Sequence, residues 1–314
     1  MTIRQKIQAF FRPPVAADQF DLATKSVADP IFVRAMSRSG GTLMCTLLDA
    51  HPDIAMSYEL YPALLETDTE FDLYALAKRL AKARNHAAVR DCTPSDGFAT
   101  FVARCPRSGL SYRDFSALLK RLADEGGRLS DLSGRMRLIE LCGLLKMARA
   151  GKRRWGMKCG NAFEDYLTFW PGAYFINMLR DGRDVLASQL NTGSFKHSPK
   201  EVAHGWQSTI QRFEQLIARD DVNARMVRYE QLTETPEPEL RELCTFLGLS
   251  FDPGMLSHAD LKLTIFDASH LSGPRVSKPI DTSPIGRWRK DLNSQQLADF
   301  SEVASPELDR FGYR

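Results

Sequence analysis

A chain of 314 residues with 43% hydrophobic content is long enough to bury a sizeable core, as one large α/β domain or two modest ones. Its net charge of +3 is too weak to argue for nucleic acid, yet it would not repel a small anionic substrate. The six cysteines contain no CxxC pair and signal neither a disulfide framework nor a zinc site, and no run of about 18 apolar residues offers a membrane span.

Scattered thiols and the lack of a secretory cleavage pattern predict a cytoplasmic chain. The N-terminus MTIRQKIQAFFRPP sets Ile3, Ile7, Phe10 and Phe11 at helical spacing before Pro13 and Pro14 end the pattern. A short helix packed on its own domain is the simpler reading; a membrane surface or a second subunit, as in a homodimer, also suits it. Residues 1–29 are taken as an N-terminal extension and 30–314 as one domain.

The run PIFVRA from Pro30 to Ala35 reads as a buried strand, followed by the small-residue turn SRSGGT and the helical pattern TLMCTLLDAH. From about 63 to 154 the periodicity is helical, as in FDLYALAKRLAKAR and YRDFSALLKRLADEG, and we read it as a helical insertion on the acceptor side. Strand patterns return at Ala173 to Leu179, before RDGRD and the helix VLASQL, and at Ala224 to Val227, before YEQL and PELRELCTFLGL. After Asp252 the chain is irregular until a final helix from Ser294 to Phe311. Strands alternating with helices predict an α/β fold: a P-loop-like central parallel sheet flanked by helices, with ligands at the carboxyl ends of the strands.

A turn of small residues entering a helix exposes backbone N–H groups at the positive end of the helix dipole, so Ser39, Gly40, Gly41 and Thr42 suit a phosphate. An ordinary strand-to-helix turn would use the same glycines for their φ freedom. The strict P-loop places Lys before the final Ser or Thr; here no Lys precedes Thr42 and Arg38 stands ahead of the glycines, which disfavours a triphosphate kinase.

SRSGGTLM, RDGRDVLAS, VRYEQL and IGRWRKDL, in this order, resemble the sulfotransferases that use 3'-phosphoadenosine 5'-phosphosulfate (PAPS), and most closely their tyrosylprotein and carbohydrate branch. The resemblance covers nearly the whole chain except residues 1–29 and the helical insertion. It implies that Arg38 to Thr42 hold the 5'-phosphosulfate, that Arg180 and Ser188 hold the 3'-phosphate, and that Tyr229 lies against adenine. It also implies that Ser272, Lys278 and Arg287 belong to a loop covering the cofactor.

For the transfer itself, the resemblance assigns Glu59 as base and Lys158 as the cation that steadies the departing phosphate, with Arg38 and Ser272 completing the catalytic set. Cover from Tyr58, Leu60 and Tyr61 predicts a carboxylate readier to accept a proton than an exposed one. His51, in DAHPD, reads better as a buried helix-end cap than as a base. No acidic pair suggests a metal. The chain departs from the tyrosylprotein pattern in LYPALLE after Glu59, which lacks arginines, and in Thr192, where an arginine would stand. A small-molecule, lipid or glycan acceptor therefore fits better than an acidic protein. The rivals are a small-molecule or nucleotide kinase and a nucleotide-binding protein without catalysis.

Overall fold

The structure is a computed structural model that describes residues 15–21, 26, 28–67, 70–193, 196–261, 263 and 273–313. The N-terminal amphipathic segment and Ser272 lie outside them. Five parallel strands form one sheet: β1 (Ile31–Ala35), β2 (Ile54–Ser57), β3 (Arg154–Lys158), β4 (Tyr174–Leu179) and β5 (Asn223–Arg228), in the order β2-β3-β1-β4-β5.

β1 is central because it is apolar on both faces; Ile31, Phe32 and Val33 are all fully buried. The chain leaves it through α1 (Gly41–Ala50), crosses to the edge strand β2, and returns later to insert β3 between them. The strand order therefore reverses at the carboxyl end of β1, where open α/β sheets form a ligand crevice.

β2 and β3 were not legible as strands. Arg154, the residue expected to close the insertion, instead opens β3. It is buried because its Nη1 donates to Leu247 O at 2.8 Å and its guanidinium lies 4.3 Å from the Tyr174 ring centre. Gly156 in the same strand is required by space, since a Cβ there would stand 2.6 Å from Ile31 O and from Met56 Sδ.

The helical insertion is present and comprises α2 (Leu73–Leu80), α3 (His86–Cys92), α4 (Asp96–Arg104), α5 (Tyr112–Asp124) and α6 (Leu132–Arg149). α6 packs on β2 and β3, and a buried ion pair from Lys146 Nζ to Asp49, 3.0 Å long, ties it to α1. α7 (Phe163–Phe169) connects β3 to β4; on the other side of β1, α8 (Gly182–Thr192) follows β4 and α9 (Pro199–Ile217) packs beside it, with Trp206 Nε1 donating to Arg180 O at 2.9 Å. The last helix, α14, runs Ser294–Arg310 after the short helices α10 (Tyr229–Glu234), α11 (Pro236–Phe246), α12 (Gly273–Val276) and α13 (Trp288–Asp291). All six cysteines are free thiols, and no described helix is long and apolar enough to cross a membrane.

Candidate active site

Every strand delivers one of the expected residues at its carboxyl end. In sheet order these are Glu59 after β2, Lys158 closing β3, Arg38 after β1, Arg180 after β4 and Tyr229 after β5. Neighbouring strands are ~4.8 Å apart, so the row crosses roughly 19 Å. The row reads as a carboxylate, three cations and an aromatic ring.

At its centre, Gly40 caps α1 with φ +93°, and a Cβ there would stand 2.5 Å from Tyr229 Cδ2. The turn is thus packed against the tyrosine with no room for a side chain. The first amides of α1 open toward the crevice without helical partners, as helix N-termini require. Gly41 and Thr42 line this cavity, whereas Ser39 is buried beneath the turn, its amide donating to Met36 O at 3.0 Å, and does not line it.

Arg38 has φ +75° and donates through Nε to Ser188 Oγ at 3.0 Å. Its carbonyl accepts from Arg180 Nη1, also at 3.0 Å. The two expected anion sites are therefore in contact. Burial, then the neighbouring Arg180 and Arg287, push the Arg38 pKa below the ordinary arginine value. A guanidinium nevertheless stays charged, so the crevice concentrates positive potential.

Arg180 is buried, lies 4.6 Å from the Tyr229 ring centre and donates to Pro284 O at 2.6 Å. Its Nε is buried with no hydrogen-bond partner among the described residues. Asp184, fully buried one turn on, accepts from Gly286 N at 2.8 Å and Trp288 N at 3.0 Å, and burial raises its pKa. It fastens the tail so that Lys278 and Arg287 line the same cavity. Trp288 is a packing anchor, held between Arg183 at 4.0 Å and Arg289 at 4.4 Å. Arg275 also lines the cavity and is a residue that sequence reasoning passed over, although it stands in SGPRVSKPID.

Glu59 faces a second, wider cavity of about 1250 Å³, and Lys158 and Met36 line both. Lys158 Nζ lies 2.6 Å from Glu59 Oε1. Burial works to lower the Lys158 pKa, and Tyr58, Glu59 and Tyr61 outweigh it, so the ammonium is held above the ordinary lysine value. Tyr58 joins the base segment to the turn through a 3.0 Å contact between its hydroxyl and Thr42 Oγ1, and burial pushes its pKa up to about 12. The apolar cover expected for Glu59 is replaced at its carboxylate by cations, since Arg104 Nη2 stands 3.7 Å away on Oε2. Cations favour the ionised form that a base must have.

The second cavity draws its lining from the ends of β1 and β3 and from α9, with Arg34, Asn161 and Arg212 among its polar groups. Among the described residues, none of its lining comes from residues 63–154, where the acceptor side was expected. The insertion reaches the site through Arg104, which no local motif marks. His51 is the buried cap anticipated: Nδ1 accepts from Asp53 N at 3.1 Å, and Nε2 donates to Ser250 O at 2.9 Å.

Comparison with known proteins identifies the family and the fold. The family model described as the sulfotransferase family matches residues 30–253. Among curated relatives, protein-tyrosine sulfotransferase A of Caenorhabditis elegans is 25% identical over 90% of this chain and 67% of its own length. The protein-tyrosine sulfotransferase of Drosophila melanogaster is 23% identical over 90% of this chain, which spans 51% of that relative. The sulfotransferase domain of the Synechococcus PCC 7002 olefin synthase shares the fold at a TM-score of 0.57 and 17% identity, covering 93% of this chain and 98% of that domain. The sulfotransferase domain of the curacin biosynthetic pathway also reaches a TM-score of 0.57, at 18% identity, covering 89% and 99%.

Proposed function

Because the chain belongs to the sulfotransferase family, we propose that it moves the sulfuryl group of PAPS to a hydroxyl or amine of a small-molecule, lipid or glycan acceptor, with Glu59 as base. The observation that carries this is the row of strand ends, which sets a carboxylate at one end and an aromatic ring at the other with three cations between.

The residues present suit such a donor. A bisphosphorylated nucleotide needs two clusters of positive donors and an apolar face between or beyond them. Here Arg38 lies under the influence of Arg180 and Arg287, Arg180 Nε is buried and unpaired among the described residues, and Tyr229 forms one wall. Arg38 and the turn through Thr42 hold the 5' end, and Arg180 with Ser188 holds the 3'-phosphate. Tyr229 bounds the adenine, and Lys278 and Arg287 close over it. When bound, PAPS supplies an activated sulfuryl group whose loss leaves a phosphate.

Glu59 accepts the acceptor's proton at its carboxylate as the new bond to oxygen or nitrogen forms. Lys158, on the wall between the two cavities, offsets the charge that develops where the old bond breaks. Positioning and fixed positive donors supply most of the acceleration in such in-line transfers.

The lining beside Glu59 is largely polar, which favours a glycan or another polar small molecule over a lipid. A tyrosyl side chain is the second reading, favoured by the names of the relatives and by Arg34 and Arg212 near the base. The reading is tested by thermal shift. Adenosine 3',5'-bisphosphate should raise the melting temperature in buffer without added metal, and ATP with magnesium should not. The reverse result would assign the chain to kinase chemistry.

A further inference from the structure

Glu59 occupies the left-handed region at φ +51°, a conformation that a glutamate leaves unless its surroundings hold it there. The surroundings that do so come from the helical insertion. Arg104, the last residue of α4, donates through Nη1 to Glu59 O at 2.9 Å. Ser108, fully buried four residues on, accepts through Oγ from Tyr58 N at 2.9 Å. One short segment thus grips the backbone on both sides of the strained residue.

The same arginine reaches the side chain. Its Nη2 stands 3.7 Å from Glu59 Oε2 while Lys158 holds Oε1 at 2.6 Å, and its guanidinium lies 5.3 Å from the Tyr61 ring centre. The segment is itself anchored. Residues Cys105–Ser108 form a 3-10 turn closed by Gly109 at φ +72°, and Arg149 of α6 donates to Gly109 O and pairs with Asp114 at 2.6 Å.

We propose that Arg104 and Ser108 are positioning residues that preset Glu59: they hold its backbone in the left-handed conformation and its carboxylate toward Lys158. The inference rests on Glu59 being the base, and it assigns the insertion a task at the reacting centre although the insertion lines neither cavity beside Glu59 nor its wall. The charged and titratable groups that act on Glu59 include Lys158 from β3, Arg104 from α4, Cys45 from α1, and Tyr58 and Tyr61 from its own segment, and Arg34, His197, Glu201 and Arg212 line the same cavity.

The test compares the wild-type protein with Arg104→Gln, Arg104→Lys and Ser108→Ala. Two readouts need no acceptor: crystal structures, and the titration of the Glu59 carboxyl carbon by NMR, assigned with Glu59→Gln. Arg104→Gln should return Glu59 to negative φ, break its contact with Lys158 and move the titration to higher pH, because a nearby cation is gone. Arg104→Lys, which keeps the charge but not the fork, should bring the titration back toward wild type, and Ser108→Ala should displace the backbone without moving the titration as far. Glu59 keeping positive φ and an unmoved titration in Arg104→Gln would overturn the proposal. Should Arg104→Gln fail to fold, the Arg104→Lys and Ser108→Ala structures decide: a Glu59 unmoved in both overturns the clasp. The two readings separate cleanly. Undiminished sulfate transfer by Glu59→Gln removes the base and leaves the clasp standing, and an unmoved Glu59 in the clasp variants does the opposite.

Discussion

Arg38 Nε donates to Ser188 Oγ across 3.0 Å, joining the turn after β1 to the helix after β4. Sequence motifs suggest two anion sites held apart; the structure makes them one continuous surface, with Arg180 donating to the carbonyl of the same Arg38. Hydrogen bonds to charged groups contribute about 1.5–3 kcal/mol each, or roughly 10- to 100-fold in affinity. Ser188→Ala should weaken adenosine 3',5'-bisphosphate binding by about 10-fold and Arg180→Ala by about 100-fold or more. Calorimetric titration at low and high salt measures both, and affinity should fall as salt rises. A dissociation constant unchanged in Arg180→Ala would remove the nucleotide from this crevice.

Glu59→Gln keeps the size of the side chain and removes its ability to take a proton. Turnover should fall by about 10²- to 10⁴-fold, the range of general acid–base catalysis. Nucleotide affinity should stay within about threefold, because Glu59 lines the other cavity. Sulfate incorporation from labelled PAPS into an extract of acceptors, set beside a binding titration, reads the two separately. Equal turnover in the variant would leave the cavity without its base.

Gly40 and Gly160 make a matched pair. Gly40→Ala places a Cβ 2.5 Å from Tyr229 Cδ2 at φ +93°, whereas a Cβ at Gly160 meets nothing within 4 Å and carries no positive φ. A strained backbone of this kind costs about 1–3 kcal/mol, and each kcal/mol lowers the melting temperature of a chain this size by about 1.5 °C. Gly40→Ala should therefore melt a few degrees lower and bind nucleotide more weakly, while Gly160→Ala melts like wild type. Calorimetric scans with equal melting for the two variants would show that the turn does not need its glycine.

A pH dependence follows from Lys152, whose Nζ donates to Ile54 O at 2.7 Å beside the Asp49 pair. Burial pushes its pKa down to about 8, while the unfolded chain keeps a value of about 10.4. Between these values the unfolded state holds more protons, so stability rises with pH from about 8 to about 10.4, and below that window the burial penalty is carried in full. The unfolding free energy of wild type minus that of Lys152→Met should climb across this window by up to about 3 kcal/mol. Urea titrations at intervals of pH measure it; a flat difference would mean that Lys152 keeps its proton to the ordinary value.

The parts of the fold that were readable in the chain are those whose signals are local. β1 and β4 are apolar runs that end in a turn or a helix start, β5 shows through its short centre ARMV and the helix start that follows it, and the residues that stand at these ends are found once the ends are known. β3 is hidden because RWGMK begins and ends with cations that only tertiary partners can bury: Leu247 O and the Tyr174 ring for Arg154, Glu59 for Lys158. β2, with four residues after a His-Pro break, is too short for periodicity to register. Arg104 escaped notice because its partner Glu59 lies 45 residues away, just past β2, a strand that itself went unseen. Asp184 stands 3.7 Å from Arg180 within RDGRD, and its larger task, invisible locally, depends on a tail 102 residues further along.

That task yields the last prediction. Asp184 accepts from Gly286 N and Trp288 N while fully buried, so the tail bearing Arg287 is held through two main-chain amides. Asp184→Ala removes both bonds and leaves two donors to find water, which loosens residues 284–288 before it touches the sheet. Limited proteolysis should then cut the tail at least several-fold faster than in wild type, and, under the proposed grip of the nucleotide by both the tail and the strand ends, adenosine 3',5'-bisphosphate should slow the cut in wild type far more than in the variant. Asp184→Asn, which retains one acceptor oxygen, should fall between them. Cleavage rates that are equal in all three proteins, with and without the nucleotide, would show that the tail is held by its apolar contacts and that Asp184 serves only as a neighbour of Arg180.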